Sequence, residues 1–170
     1  TQLTQLEAQE EMKSAMKTIT ESIKLSMASN AQTSAIGMVG MMVDTGNNLV
    51  VRKDSQPVDF QMYFDDKVAS GQVSITDSIG NLVSILPLDD VIGSSGFIQF
   101  NWDGKADSGA YQPDGDYYIK ATYLDEYGNI RETKVGEGRV EGVKFENGNT
   151  MLRLGEQYIS SSEVKEFRLK

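Results

Sequence analysis

The sequence predicts a mainly β protein with a long N-terminal α-helix. Residues 4–33 contain neither Pro nor Gly, and their apolar side chains recur at helical spacing. After Gly37, short runs of alternating polar and apolar residues are separated by turn-forming Asp, Asn and Gly. Between residues 55 and 135 these runs amount to roughly seven strands, a number typical of a β-sandwich.

The N-terminal helix is expected over residues 4–33, where Thr4 and Glu7 match a capping box. Residues 30–37 are small and polar and are expected to fray or to act as a linker. Steps of three and four place one narrow apolar stripe along the helix, formed by Met12, Met16, Ile19, Ile23 and Met27. A heptad-like stripe favours self-association or packing on neighbouring subunits, and its methionines make the contact adaptable. The alternative is that the stripe packs on the chain's own β-domain.

The strand pattern divides the rest of the chain into two β-modules. Residues 38–43 and 49–53 flank a turn-rich stretch, so we expect them to form a hairpin. A lone hairpin is unstable, but with three strands at residues 138–170 it makes about five, enough for a small barrel. Asn147-Gly148 is expected to form a hairpin turn between the first two of these three strands. The expected domains are the oligomerisation helix at residues 1–36, a discontinuous barrel at 37–54 and 136–170, and an inserted sandwich of fibronectin III or immunoglobulin type at 55–135.

Trp102 is the single tryptophan of the chain and lies on an alternating strand with Ile98 and Phe100. A tryptophan in this setting is expected to belong to the sandwich core. The alternative is a sugar-binding role for Trp102 together with Tyr117 or Tyr118, because aromatic rings combine an apolar face with a polar edge.

The residue types present exclude several classes of catalyst. The chain has neither Cys nor His, which rules out Cys–His and Ser–His pairs and zinc sites of the usual type. The Asp-rich loop at residues 103–116 fails the EF-hand pattern, because Lys105 stands at the third ligand position and no Glu falls at the twelfth. Its Asp residues are expected to form Asx-turns, with a looser Ca²⁺ site as the alternative. We expect no catalytic residue, no cofactor and no metal.

Charge is distributed unevenly along the chain. The net charge is −9, and residues 54–129 hold 13 acidic and 3 basic side chains, a net of −10. An acidic surface repels phosphate backbones, so nucleic acid is not an expected partner. No apolar run is long enough to cross a bilayer, and residues 1–11 lack the basic start and apolar core of a secretory signal. A membrane is therefore not an expected partner either.

Several strings of residues accompany these features. One is Phe100-x-Trp102-Asp103-Gly104, then Gly109, then Pro113-x-Gly115-x-Tyr117. Others are Gln2-Leu3 and Gln5-Leu6 at the helix start, residues 35–43 at the first strand, and Gly138-x-Val140-x-Gly142-Val143 with residues 159–167 at the closing strands. In this combination the chain resembles the flagellar hook-capping family, also called hook assembly scaffold or basal-body rod modification proteins, and the first string is the most specific match. Met41 departs from the family, which often has Lys or Arg there. The family's segment upstream of Gln2 is missing, so a longer natural protein is expected.

The resemblance implies a Tudor-like barrel with an inserted fibronectin III-like domain and no enzymatic activity. It implies an oligomeric cap at the distal end of the growing hook that guides hook-protein subunits into place. The implied partners are further copies of the chain, hook-protein subunits and the flagellar export apparatus. The implied location is extracellular, at the hook tip, after export through the flagellar channel without a cleaved signal peptide. The alternative is a bacterial surface immunoglobulin-like adhesin that holds a sugar or a protein.

Overall fold

A computed structural model describes residues 2–169, apart from the side chains of residues 2, 3, 24, 27–29 and 31. Within these residues one α-helix, α1 (Gln2–Ile36), precedes thirteen strands, and short 3₁₀-helices lie at Asp89–Val91 and Ser161–Glu163. The strands are β1 (Met42–Asp44), β2 (Leu49–Arg52), β3 (Val58–Phe64), β4 (Val68–Thr76), β5 (Leu82–Pro87), β6 (Gly96–Trp102), β7 (Gly115–Asp125), β8 (Ile130–Lys134), β9 (Glu137–Arg139), β10 (Gly142–Glu146), β11 (Asn149–Leu154), β12 (Gln157–Ser160) and β13 (Glu166–Arg168). The predicted mainly β fold with an N-terminal helix is confirmed.

The helix is longer at both ends than the sequence predicted. Because α1 begins at Gln2, Thr4 lies inside the helix, and the expected capping box does not mark its N-terminus. At the other end the helix runs through the small polar residues to Ile36, so the expected fraying of residues 30–37 is wrong. Ala35 is buried there, and the helix contacts β10 and β11. This packing orders a segment whose composition alone favours no helix.

One group of strands forms a two-layered sandwich. β7 pairs with β4 on one side and with β2 and then β8 on the other, while β5 extends the sheet beyond β4. The opposing layer is the pair β3 and β6. Alternate side chains of a strand point to one face, so the two layers enclose a shared core. Its larger members are Phe60, Met62, Phe64, Val73, Ile75, Trp102, Tyr117, Ile119 and Tyr123.

The remaining strands form a second, smaller module. β1 lies between β9 and β13, and β11 lies between β10 and β12. A separate core of Val43, Val140, Leu152 and Leu154 lies beneath them. β10 and β11 are joined by the predicted hairpin turn at Asn147-Gly148, where Asn147 has a φ of 51°.

The predicted hairpin between residues 38–43 and 49–53 is wrong. β1 pairs with β9 and β13, whereas β2 pairs with β7, with Leu49 opposite Tyr118. The turn-rich stretch between them crosses from one module to the other. The backbone N–H of Thr45 donates to the carbonyl of Gly136 at 3.0 Å. This hydrogen bond joins the crossing to the segment between β8 and β9, where the chain returns from the sandwich to the second module. Residues 49–52, expected in the barrel, therefore supply a strand to the sandwich.

No helix in the described part of the chain is long and apolar enough to cross a membrane.

Candidate functional site

The stripe that the sequence singled out lies on the exposed surface of α1. Met12, Met16, Ile19 and Ile23 are all exposed, from 67% for Met12 to 54% for Ile23. Met27, the fifth member, has a side chain outside the described residues. Because the four described side chains follow helical spacing, they line one side of the helix. None of them packs on the β-modules, so the alternative of burial against the chain's own β-domain does not hold for these four.

Leu25 is a further exposed apolar residue of α1, at 72%. It stands two positions from Ile23, about 200° around the helix, and so lies off the stripe. The steps of three and four residues that define the stripe therefore leave Leu25 out of it. It also provides an apolar position on the same helix that is independent of the stripe.

The two β-modules meet across the outward side of β3 and β6. The ring of Phe97 lies 4.8 Å from that of Tyr63 and packs against the core of the second module. Next to them, the side-chain amide of Gln61 donates to the carbonyl of Leu154 at 2.7 Å, while Gln99 donates to the oxygen of Gln61 at 3.0 Å. Aromatic packing and directional hydrogen bonds together fix one orientation of the modules.

Arg139 joins the helix exit to both modules. Its guanidinium forms an ion pair with Asp65 at 2.7 Å, donates to the phenol of Tyr63 at 3.1 Å and donates to the carbonyl of Gly40. Burial raises the pKa of Tyr63, although the hydrogen bond from Arg139 opposes this. The hydrogen bond to Asp65 is the main cause that raises the pKa of Arg139, so the guanidinium stays charged. Charge-assisted contacts thus hold the segment that follows α1 and the strand β9 against the sandwich.

Arg52 explains the most specific sequence motif, and the sequence analysis missed it. Its side chain is buried, donates to the carbonyls of Gln112 and Ser55, and forms an ion pair with Asp114 at 3.2 Å. Gly104 lies directly over the guanidinium: a Cβ there would be 2.6 Å from Nη2, and the φ of Gly104 is 85°. The loop from Asp103 to Gly115 is therefore folded around an arginine from β2. No local signal marks Arg52, because its partners Gln112 and Asp114 are about sixty residues away in sequence.

Trp102 lies in the core, as predicted. It is fully buried, its indole N–H donates to the carbonyl of Lys105 at 2.9 Å, and its ring meets Tyr117 edge to face at 4.8 Å. The hydroxyl of Tyr117 donates to the carbonyl of Pro113. Since Trp102 and Tyr117 are both buried, they present no aromatic surface to a sugar. The motif that links them is a structural unit of the sandwich.

The Asp-rich loop uses its carboxylates in internal hydrogen bonds. Asp103 accepts from the N–H of Lys105 at 2.9 Å, which is the expected Asx-turn. Asp107 instead accepts from Ser84, on β5, at 3.1 Å. Among the residues that the structure describes, no three acidic side chains converge as the ligands of a metal ion would.

An exposed helix joined to two packed β-modules, one of them a sandwich, defines a class of proteins with an immunoglobulin-like β-domain. The FlgD Ig-like domain family matches residues 46–126, a range that begins just before β2 and so agrees with the place of β2 in the sandwich. The fold is similar to two structures of truncated FlgD from Helicobacter pylori. One, from strain 26695, has 32% identity and a TM-score of 0.72 and covers 78% of this chain and 95% of its own. The other has 33% identity and a TM-score of 0.71 and covers 77% and 94%.

The chain belongs to the FlgD family, and the family resemblance seen in the sequence is thereby confirmed. The chain is also similar to FlgD from Xanthomonas campestris, whose structure gives insights into the hook capping that is essential for flagellar assembly. The identity is 23% and the TM-score is 0.48. That match covers 79% of this chain and 95% of the other. The comparison with curated proteins gives no significant match.

Proposed function

We propose that this protein is a non-catalytic assembly scaffold that caps the distal end of the growing flagellar hook and guides the addition of hook-protein subunits. Membership of the FlgD family is the observation that carries the proposal. Hook capping is the role attached to the family member from X. campestris. A cap must hold its own shape and contact both its own copies and the incoming subunits, and the surfaces described above suit both tasks.

We infer that α1 joins copies of the chain through the stripe of Met12, Met16, Ile19, Ile23 and Met27. Burying an apolar side chain of this size is worth about 1.5–3 kcal/mol before the cost of association. Five such side chains on one face support an oligomer of modest stability. The contacts of Arg139 and Phe97 keep the helix and the modules in one relative arrangement, which a symmetric assembly requires of each copy.

We infer a discontinuous domain plan in which the sandwich is inserted into a Tudor-like barrel. Two separate cores support this division, since the sandwich core and the core under β1 and β11 have no buried residue in common. We set the first boundary in the crossing at residues 45–48 instead of at residue 54, since β2 pairs with β7 of the sandwich.

The proposed location is the extracellular hook tip, reached through the flagellar export channel, and the proposed partners there are hook-protein subunits and the export apparatus. A chain without Cys needs no oxidative folding step after export in the unfolded state. No step of this function requires a cofactor or a catalytic group.

The test deletes the full-length gene in the bacterium of origin and supplies wild-type or mutant full-length genes in its place. Electron microscopy of isolated basal bodies then measures the hooks. Deletion should abolish hooks while hook protein appears in the medium, and the wild-type gene should restore hooks. Ile19→Glu/Ile23→Glu should be exported but fail to restore hooks. Leu25→Glu/Gln32→Glu, which adds the same charge off the stripe, should restore them. Hooks of normal length in the deletion strain would contradict the proposal.

A further inference from the structure

An apolar patch lies on the solvent-facing side of the sandwich sheet, where β7 ends and β8 begins. Leu124 and Ile130 stand opposite each other in the ladder of these strands and are 39% and 75% exposed. Tyr127, in the turn that joins the strands, is exposed as well. Single exposed apolar residues are ordinary, but neighbouring ones on the outer side of a sheet mark a contact surface.

The patch borders an open groove of about 580 Å³. Leu124 and Ile130 line it together with Asp89 and residues 70–72 of β4. A Cβ at Gly71 would lie 2.5 Å from the carbonyl oxygen of Thr122, so only glycine fits this approach of β4 to β7. Gly71 has no side chain and contributes only backbone to the lining of the groove. We call this surface, formed by Leu124, Ile130, Asp89 and residues 70–72, the tip groove.

Carboxylates near the tip groove lack cationic partners. Asp89, on its rim, its neighbour Asp90, and Glu126 in the adjoining turn are exposed and form no salt bridge among the described residues. By contrast, Asp66 and Asp125 are both paired with Arg131, at 3.3 and 3.0 Å. Unpaired carboxylates beside an apolar surface complement a segment that presents an apolar side chain next to Lys or Arg.

We propose that the tip groove binds a segment of the hook-protein subunit in which an apolar side chain stands beside a Lys or Arg. This inference rests on the proposed function, which supplies the subunit as a partner. The net charge of −10 over residues 54–129 would also accelerate the encounter with a basic segment at low salt.

The binding experiment uses the full-length protein and purified monomeric hook protein from the same bacterium as the probe. Leu124→Ser/Ile130→Ser should weaken binding by about tenfold or more, as expected for apolar anchors of an interface. Asp89→Lys/Asp90→Lys should weaken it and flatten its dependence on salt concentration. Ile79→Ser/Leu82→Ser changes two exposed apolar residues elsewhere on the sandwich and should leave binding unchanged. All replaced side chains are exposed, and thermal unfolding of each variant verifies that it folds.

Equal affinities of the wild type and Leu124→Ser/Ile130→Ser, or no binding of hook protein by the wild type, would overturn the inference. The hook-restoration assay separates this failure from failure of the proposed function. If the wild type and Leu124→Ser/Ile130→Ser restore hooks equally well, the tip groove is not the docking surface, while the capping function stands. If the wild type itself restores no hooks, the proposed function fails. Hooks restored by the wild type and the control but not by Leu124→Ser/Ile130→Ser support both proposals.

Discussion

The ring of Phe97, on the sandwich, occupies the space that a side chain at Gly138, on the second module, would need. A Cβ at Gly138 would lie 2.7 Å from Cε1 of Phe97, well inside van der Waals contact. Gly155 meets the same ring, with a Cβ position 2.9 Å from Cγ. Two glycines of the second module thus form the recess into which one phenylalanine of the sandwich packs. The two modules approach each other as closely as backbone and ring permit.

Gly138→Ala should destabilise the protein by about 1–3 kcal/mol, because the added methyl group overpacks a filled space. Gly142→Ala is the matched control, since its Cβ would meet the flexible side chain of Arg153 at 3.3 Å. Chemical denaturation measures both variants. In a Phe97→Ala background the cost of Gly138→Ala should shrink. An unchanged cost there would show that the ring is not the obstacle.

Trp102→Ala should destabilise the sandwich by about 3–5 kcal/mol, since it leaves a large cavity beside Tyr117. Trp102→Phe keeps much of the packing but leaves the carbonyl of Lys105 without its indole donor, so it should cost less. Tyr118→Ala, at a half-exposed ring one residue from Tyr117, is the control and should cost the least. Thermal unfolding followed by circular dichroism ranks the three. Stability equal to the wild type in Trp102→Ala, with loss of a bound sugar, would instead support the adhesin alternative.

Local sequence patterns predicted most of the strands and turns, but they did not predict every pairing between strands. The alternation in β3 and β6 and the Asn147-Gly148 turn each reflect chemistry within a few residues, and both predictions are confirmed. The stretch at residues 44–48 carries the same turn-forming residues as a hairpin, yet it crosses between modules. Turn composition specifies a bend in the chain and not which strand is met after it.

The candidate surfaces were predictable to different degrees. The helix stripe was predictable because helical spacing relates its members directly. Arg52 was not, because Gln112 and Asp114 lie on a loop that is distant in sequence, and the tip groove was not, because Leu124 and Ile130 become neighbours only through strand register. The alternation along β6 places Phe97 on the face opposite to Trp102, and only the packing of the second module turns that face into a contact.

Asp125→Asn should flatten the loss of stability in acid. Burial raises the pKa of Asp125, but the N–H of Asn129 and the side chain of Arg131 outweigh this and hold the pKa below its usual range. The donors lie 2.8 and 3.0 Å from the carboxylate. A carboxyl group whose pKa is lower in the folded than in the unfolded protein stabilises the fold at pH values above its unfolded-state pKa of about 3.9. This stabilisation is lost as the pH falls through the folded-state pKa.

The measurement is denaturant unfolding of the wild type and Asp125→Asn between neutral pH and about pH 2. Asp125→Asn should be less stable at neutral pH, and the two curves should converge in acid. Asp54→Asn, an exposed residue outside this turn, is the control and should follow the wild type throughout. Parallel curves for the wild type and Asp125→Asn would contradict the assignment of the acid response to this carboxylate.

Peroxide should oxidise Met12 and Met16 much faster than Met62. The first two thioethers are exposed on α1, whereas Met62 is fully buried in the sandwich. The sulfur must reach the oxidant to form a sulfoxide, so access sets the order. Peptide mapping by mass spectrometry of a dilute sample gives the rates.

A sulfoxide is polar, so the oxidised protein should assemble less well when it is concentrated. Met12→Leu/Met16→Leu should resist this effect of oxidation. Similar oxidation rates for Met16 and Met62 would contradict the exposed position of the stripe.

The helix stripe should decide the oligomeric state. Ile19→Glu/Ile23→Glu places two carboxylates in a seam where they would lack partners, and such burial costs far more than the contact gains. Light scattering over a dilution series should find the wild type associating at high concentration and this variant monomeric. The β-modules should keep their cooperative unfolding, since the stripe does not touch them.

Leu25→Glu/Gln32→Glu adds the same charge on another side of α1 and should associate like the wild type. If both variants become monomeric, charge on the helix is responsible and not the stripe. If Ile19→Glu/Ile23→Glu unfolds outright, the folding of the β-modules depends on the stripe, and α1 is not an independent oligomerisation helix.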